Sequence, residues 1–574
     1  MHTSSVKACQ YQGWWERRAQ RDGRSDGHAS DGALILPLPS FPALDFDPSQ
    51  FTLPPTYDEV LDLEKALYPT RPRSKNFSDT STLYSSGSHK HDRGWATTEH
   101  YSSHQPIRRH VRVFRILRYT IFNVYRRLFT FVFGINIIGG LILLRRYQSK
   151  DVDQKQSSTT LAAFASSNFL LAILMRQDYL VNLLFRTAWL VPWSVPLRIR
   201  TMVARVYCYG GIHSGAAVAG TLWWLVFTVT ICRMFLRQAC SLYITIFTAI
   251  ILLVLLMILV LSYPTLRAKH HNTFEMTHRF LGWSCIGLFW AQLFLLTTHT
   301  STTRNSATKL LLHDPTFWNL LAISCLLIYP WLRIRRWTFT AHVLSSHAIR
   351  LSFPNRVHRF SCLSISSSPL KEWHPFATFP ATTTLIPPSL PSAPPAANKH
   401  EASIVVSNAG DWTRQIIAHA QLEHSRSHRP STADTRTTTL TFWTKPHPKA
   451  GVLSLSLLFP RILILTTGSG IGPALSSLLE RPRTQFARLI WSTRSPRDTY
   501  GQDMLDLVKQ ADADAVVLDS DALGRVDLLG MVERERRACK VDAVFVLSNK
   551  VVTGRVVSGV QGRGGRAYGP IWDS

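Results

Sequence analysis

Two histidines, His213 and His278, each stand alone inside a long apolar stretch, VARVYCYGGIHSGAAVAGTLWWLVFTVTIC (203–232) and NTFEMTHRFLGWSCIGLFWAQLFLLTT (272–298). An ionisable ring at membrane depth is costly and is a functional candidate by default. A lone imidazole can also simply hydrogen-bond a neighbouring helix. His213 follows Arg205 by eight residues and His278 follows Lys269 by nine, which is about 12 Å along a helix in each case. Two imidazoles facing each other at one level have the chemistry to ligate a haem iron from both sides. A second constellation is the turn Gly468-Ser469-Gly470-Ile471-Gly472-Pro473. It falls between an apolar strand and a helix start, where backbone without side chains lets phosphate oxygens reach N–H groups and the positive end of the helix. The spacing is not the full GxGxxG, so a relative of the dinucleotide fold fits better than that fold itself. Arg494, in WSTRSP at the end of the next strand, is placed to meet a ribose or its 2′-phosphate; a plain surface arginine is the other reading.

These residues need a bundle and a sheet to hold them. CSLYITIFTAIILLVLLMILVLSY (240–263) carries no charge, and a bilayer-crossing helix needs roughly 20 such residues. Six apolar spans are expected, near 128–144, 161–175, 206–232, 240–263, 280–298 and 317–332, the second and last being short for a crossing. YLVNLLFRTAWLVPWSVPLRIR (179–200) holds Arg186, two prolines and three Trp or Tyr rings, which suits an interfacial segment. The net charge of +28 would suit nucleic acid on one soluble face, but Lys and Arg crowd the span ends, as in 107–127 and 331–337. That pattern predicts contact with membrane lipid headgroups and no nucleic-acid binding. An even number of spans puts both termini on one side. Charge bias makes that side cytosolic, though Arg145, Arg146, Arg233 and Arg237 fall opposite. The eight cysteines show no CxxC pair or zinc spacing, and residues 1–30 lack the apolar core of a signal peptide.

Residues 1–105 are polar and basic, with the composition of a disordered tail. Pro54-Pro55-Thr56-Tyr57 within it matches PPxY, a ligand pattern for WW domains, or is a solvated stretch of that tail. Residues 106–336 form the expected transmembrane bundle. From 337 to 455, WTFTAHVLSSHAIRLSFP, RFSCLSISSSP, EWHPFATFP and SIVVSN alternate apolar and polar residues as β-strands do, interrupted by a Pro-rich insertion at 384–400. From 456 to 574 the pattern alternates strand and helix. Strands RILILTT, RLIWSTRSP, AVVLDSD and DAVFVLSN predict an α/β parallel sheet.

In this order, the histidines on the third and fifth spans, the HPF turn, GDWT (410–413), TTGSGIGP, WSTRSPRDTYG, VFVLSN and AYGPIWDS resemble the ferric reductase/NADPH oxidase superfamily. In detail they look more like the fungal TmpA-type transmembrane flavoproteins and the reductase-like C-terminal regions of some synthetase-like enzymes. The likeness covers roughly 125–574. It implies a six-span α-helical membrane bundle followed by a β-barrel FAD domain and an α/β nucleotide-binding domain. It also implies FAD, NAD(P)H and at most one haem b as cofactors. His374, Pro375, Phe376 and Thr378 would hold the flavin, with Ala377 where the family usually has a hydroxyl. Thr467, Gly468, Gly470, Gly472 and Pro473 would cradle the nicotinamide nucleotide, and Trp572 or Tyr568 would shield the flavin ring.

Two departures stand out. Four turns beyond His213 lie Val226 and Phe227, and four turns beyond His278 lie Ala291 and Gln292, so the outer haem site is absent. Ser548-Asn549 replaces the family's Cys-Gly pair. Two functions follow from the resemblance. One is an oxidoreductase, of the plasma membrane, passing electrons from NAD(P)H through FAD to a membrane or haem acceptor. The other is a degraded membrane regulator that keeps the fold. Gly470→Val is expected to abolish flavin reduction in the first and change little in the second. A transporter is disfavoured, since no internal repeat is visible.

Overall fold

Long apolar segments form helices here because a helix satisfies its own N–H and C=O groups within one segment. The computed structural model describes residues 122–148, 154–300, 304–355, 357–380, 402–427, 438–445 and 447–571, all within one unit, 42–574. The basic tail with Pro54–Tyr57, the 384–400 insertion and Trp572 lie outside the described residues.

The bundle is built from α1 (Val124–Gln148), α2 (Gln154–Leu174), α3 (Asp178–Trp189), α4 (Leu197–Val203), α5 (Gly210–Leu236), α6 (Leu242–Leu261), α7 (His271–Thr300) and α8 (Pro315–Leu332). Among the described residues, five helices are long and apolar enough to cross a membrane. The number is six if the pair 158–174 and 178–189, bent by 66°, counts as one. The second segment is longer than its apolar run suggested, because Gln154–Thr160 continues the helix outward. Small residues set the closest packing. A Cβ on Gly211 would collide with the carbonyl of Tyr125, and one on Gly215 would lie 2.9 Å from that of Phe129. This Gly-x-x-x-Gly pair lets α1 lie directly on α5. Tyr125 Oη and Ser214 Oγ, 2.6 Å apart, close the contact one residue after His213.

The segment 178–209 does more than lie at an interface. Its buried face, with Val181, Phe185, Ala188 and Ala204, belongs to the same apolar cluster as the two sheets. Asn182 donates to Pro448 O (2.8 Å) and accepts from Ala450 N (2.9 Å). Trp193 Nε1 donates to Leu457 O (2.8 Å), and Arg200 donates to Leu458 O (2.8 Å). The opposite face exposes Leu183, Leu190, Ile199 and Met202. The helices thus strap the bundle onto the sheets while presenting an apolar outer side.

The first sheet is antiparallel throughout: β1 (Arg335–Val343), β2 (Ala348–Phe353), β3 (Ser361–Ser366), β4 (His374–Ala377), β5 (Phe379–Pro380), β6 (Ala402–Ser407), β7 (Thr438–Thr444) and β8 (Lys449–Ala450). Its order is β4-β3-β7-β1-β2-β6-β5, with β8 paired to β3. The two edge strands, β4 and β5, are separated in the chain by one residue, Thr378. The sheet therefore curls until its edges meet at that residue, which makes a barrel without exposed edges there. Helix α9 (Asp411–Ser427) covers one end, burying Trp412, Ile416, Ile417 and Ala420 in the barrel core. Strand β7 was not anticipated, although Leu440, Phe442 and Thr444 alternate inward along it.

The second sheet has order β11-β10-β9-β12-β13, from β9 (Arg461–Thr467), β10 (Phe486–Thr493), β11 (Val516–Asp519), β12 (Ala543–Leu547) and β13 (Ala567–Tyr568). All four pairings are parallel. The first strand in sequence is central and the order reverses beside it, between β9 and β12. That is a topological switch point, where open parallel sheets leave a crevice at their carboxyl ends. The sequence accounts for four of the strands. The fifth is two residues long and carries no periodicity to read.

Candidate functional site

Helix α10 (Ile471–Leu479) follows β9 through a one-turn 3₁₀ helix, Gly468–Gly470. No side chain caps either element; the Ile471 N–H donates back to Gly468 O and Ser469 O, and Pro473 brings no N–H, so the helix head is bare of side chains. Trp491 Nε1 pins the turn by donating to Gly468 O (3.0 Å), and Gly468 needs its φ of +51°. The mouth of the crevice is closed on the other side by Thr467 Oγ1, 2.6 Å from Ser548 Oγ at the end of β12. The residue pair that departs from the superfamily pattern thus stands beside the glycine turn.

The three glycines have different jobs. A Cβ on Gly470 would collide with Thr466 Oγ1 and sit 2.9 Å from Leu547 O. Gly470 is therefore required by the packing of β9 on β12, whatever binds nearby. A valine there disturbs the fold under either functional reading and does not separate them, contrary to the expectation from sequence. Gly472 faces the barrel, where a Cβ would meet Val405 at 3.8 Å and Phe379 at 3.9 Å. The glycine turn is consequently seated against the barrel seam, and Pro473 follows within the first turn of α10.

On that seam, His374 lies flat on Trp412, ring centroids 5.7 Å apart and 9° between planes, and Phe376 stacks on the same indole at 6.4 Å. Pro375 is exposed and Phe376 half-buried. Burial holds the pKa of His374 well below the ordinary imidazole value, so this ring is neutral. Thr378 is placed differently from the expectation. It is 2 % exposed and its hydroxyl donates to Ser361 O (3.1 Å) and pairs with Ser361 Oγ (2.9 Å). Closing the barrel turns that hydroxyl into β3 and away from the crevice. Arg350 adds a cation at the seam, 5.4 Å over the Phe379 ring with Nε on Ser403 Oγ (3.0 Å).

The other site residues are spread out. Arg494 is 51 % exposed beyond β10, 3.9 Å from Asp521. Asp521 and Asp519 also hold Ser495, at φ 32°, so a carboxylate pair stands beside that arginine. Tyr568 is fully buried between Phe545 (5.1 Å) and Phe459 (5.7 Å), with Arg205 4.7 Å over its ring. It is a core residue and cannot shield a ring in the crevice.

His213 and His278 come together, with ring centroids 6.4 Å apart and planes at 67°. They lie at the end of the bundle nearest the sheets. His213 Nδ1 is 2.8 Å from Ala172 O, while His278 Nδ1 is buried without a hydrogen-bond partner. The next residue, Arg279, donates to the carbonyls of Leu370 and Lys371 and pairs with Glu275 (2.7 Å). Glu275 in turn accepts from the backbone N–H of Trp373. The loop that ends at His374 is thus clamped by the helix turn that carries His278, a link that no local sequence signal reveals.

Residues 452–574 match the family described as the C-terminal domain of Adenylate-forming reductase 03009. The chain is 34 % identical to Adenylate-forming reductase 03009 of Coprinopsis cinerea, over 88 % of its own length and 46 % of the relative's. It is 36 % identical to Adenylate-forming reductase 06235 of the same organism, over 81 % and 41 %. It spans less than half the length of these curated relatives. Among solved structures, a flavohemoglobin from Malassezia yamatoensis with bound FAD and heme overlaps at 13 % identity and TM-score 0.30. That overlap covers 72 % of this chain and 99 % of the other. A superposition this loose bears on neither the fold nor the site.

Proposed function

We propose that this chain is a membrane flavoprotein oxidoreductase that takes a hydride from NAD(P)H onto FAD and passes electrons singly to a haem or another membrane acceptor. The observation that carries this reading is the seating of the uncapped Gly468–Pro473 turn, at the switch point of the parallel sheet, against the His374–Pro380 seam of the barrel. The relatives' common name, reductase, supports the same chemistry. Nothing of the adenylate-forming part of that name is carried over to this chain.

Bound FAD would supply the conversion of a two-electron hydride into single electrons. Pro375, exposed on the opposite face of the strand, offers it an apolar edge, and the His374 and Phe376 rings stacked on Trp412 fix the strand that presents it. The glycine turn, with no side chain in the way, and the positive end of α10 behind it favour the phosphates of the nicotinamide nucleotide. Arg494 meets the ribose end, with Asp521 competing for the guanidinium.

His213 and His278, with ring centroids 6.4 Å apart, would be the residues to hold one haem b. With Nδ1 of His213 donating to Ala172 O, its Nε2 keeps a lone pair for a metal. Haem would then supply a one-electron store at the sheet-side end of the bundle.

Exposed apolar side chains such as Phe131, Ile138, Leu253 and Val260 support lipid as the solvent of the bundle. The outer faces of α3 and α4 suit the headgroup boundary. We place both termini in the cytosol, the bundle in the plasma membrane, and Pro54–Tyr57 as a docking segment for a WW-domain partner. The alternative, a regulator without turnover, draws on Thr378, whose hydroxyl is committed to Ser361 and leaves the seam without the usual hydroxyl.

The deciding experiment is the visible spectrum of detergent-purified protein before and after anaerobic NADPH, with NADH alongside. A flavin band that bleaches is expected, together with a Soret band. Absence of flavin sinks the oxidoreductase reading. Flavin without a Soret band reduces His213 and His278 to structural groups.

A further inference from the structure

The part of the bundle beyond the histidine pair is locked by a closed ring of hydrogen bonds donated by side chains. Asn136 Oδ1 on α1 accepts from Asn168 Nδ2 on α2 (2.7 Å) and from Trp223 Nε1 on α5 (2.8 Å). From α8, Asn319 donates to Ser166 Oγ (3.0 Å) and Ser167 Oγ (2.9 Å) on α2. Trp290 Nε1 on α7 donates to Ser324 Oγ on α8 (2.9 Å). Gln292 Nε2, also on α7, donates to Thr248 Oγ1 on α6 (2.6 Å). Trp224 Nε1 on α5 donates to Thr248 O (3.3 Å), which brings the ring back to its start.

Trp223, Trp224, Trp290 and Gln292 lie ten to fourteen residues beyond His213 or His278 in sequence, about 15–21 Å along their helices, while Asn168 stands one turn from Ala172, the partner of His213. The space they enclose is filled with rings. Trp224 is 4.7 Å from both Phe227 and Phe289, and Phe169 is 5.4 Å from Phe289. Gln292 and Thr248 are 1 % and 0 % exposed. No Asp, Glu, Lys, Arg or His occurs in 128–144, 161–175, 214–232, 242–261, 280–298 or 317–332. Neutral hydrogen bonds linking all six helices around an aromatic core are what interhelical packing in lipid calls for. They offer no ligand for a second redox centre.

We propose that this part of the bundle is a lock and not a conduit, so that electrons leave the protein on the face where NAD(P)H binds. The acceptor is then a one-electron oxidant dissolved in the water or lipid of that face. The inference rests on the oxidoreductase reading and adds the side on which the reaction is completed.

Sealed liposomes containing the full chain test it, with NADPH added outside so that only outward-facing nucleotide domains are addressed. Ferricyanide is either added outside or trapped inside, and the balance is NADPH + 2 ferricyanide → NADP⁺ + H⁺ + 2 ferrocyanide. External ferricyanide should be reduced and trapped ferricyanide should not, relative to vesicles without protein. Reduction of the trapped pool overturns the proposal while leaving the oxidoreductase reading intact. Failure to reduce even the external pool overturns that reading and the proposal with it. Gln292→Leu provides the second arm. It should lower the unfolding temperature in detergent and leave the external rate unchanged. A folded Gln292→Leu protein with a collapsed external rate would put Gln292 on the electron path.

Discussion

Replacing Gly470 by alanine should cost far more stability than replacing Gly472, although both belong to the same turn. At Gly470 the added methyl runs into Thr466 Oγ1 and lies 2.9 Å from Leu547 O. The threonine can rotate away only by giving up its hydrogen bond to Leu547 O (3.0 Å), a loss of about 0.5–1.5 kcal/mol. The carbonyl cannot follow, because Leu547 is paired with Thr466 in the centre of the sheet. Overpacking of this kind costs about 1–3 kcal/mol. The two terms together give roughly 2–4 kcal/mol. For the unit 42–574 that is a fall in unfolding temperature of about 2–4 °C. At Gly472 the nearest atoms are 3.8 and 3.9 Å away, an ordinary contact, so Gly472→Ala should be close to neutral. The assay is thermal unfolding of the detergent-purified chain, paired with titration of NADP⁺ at a temperature where both variants remain folded. If Gly470→Ala melts with the wild type, the assignment of this glycine to strand packing is wrong.

Three further perturbations follow from the junctions. Asn182→Leu strands the buried Ala450 N–H, at about 1–3 kcal/mol, and leaves Pro448 O to His358 Nε2 alone. Proteolysis should therefore appear near that loop at protease levels the wild type resists. Arg205→Met removes the cation over Tyr568, worth about 0.5–2 kcal/mol. The segment after β13 should become digestible by carboxypeptidase, and an unchanged digestion profile would refute the contact's role. Lys445 lies 5.2 Å over the Trp373 ring, and burial brings its pKa from 10.5 to about 8. The unfolded chain therefore binds more protons between these values, and stability must rise with pH from about 8 to about 10.5. Chemical denaturation across that window should show the rise, and Lys445→Met should flatten it.

What could be read from the chain without coordinates follows the range of the interactions involved. The long apolar helices, the central strand RILILTT and the glycine turn are local patterns, set by apolar runs and by backbone that tolerates no side chain, and they are legible. Strand β7 escapes such a reading: Leu440, Phe442 and Thr444 alternate inward along it, but the threonines between and before them hide the alternation. The segment 178–209 shows why local reading stops short. Its prolines, tryptophans and arginines suit a lipid interface, yet Asn182, Trp193 and Arg200 are satisfied by carbonyls more than 250 residues later. No composition predicts a partner at that separation.

Thr378 shows the same limit inside the site. A hydroxyl close behind His-Pro-Phe suits a flavin contact if the strand simply runs on. Here the strand pairs with β3 before Thr378 and with β6 after it, so this residue becomes the joint where the barrel closes. Its amide donates to Ser361 O (2.9 Å), and the same pairing turns the hydroxyl inward. Thr378→Val would leave Ser361 without that partner in the barrel core, and it should lower the unfolding temperature before it lowers flavin content. The reverse order of loss would return Thr378 to the crevice and overturn the closure argument.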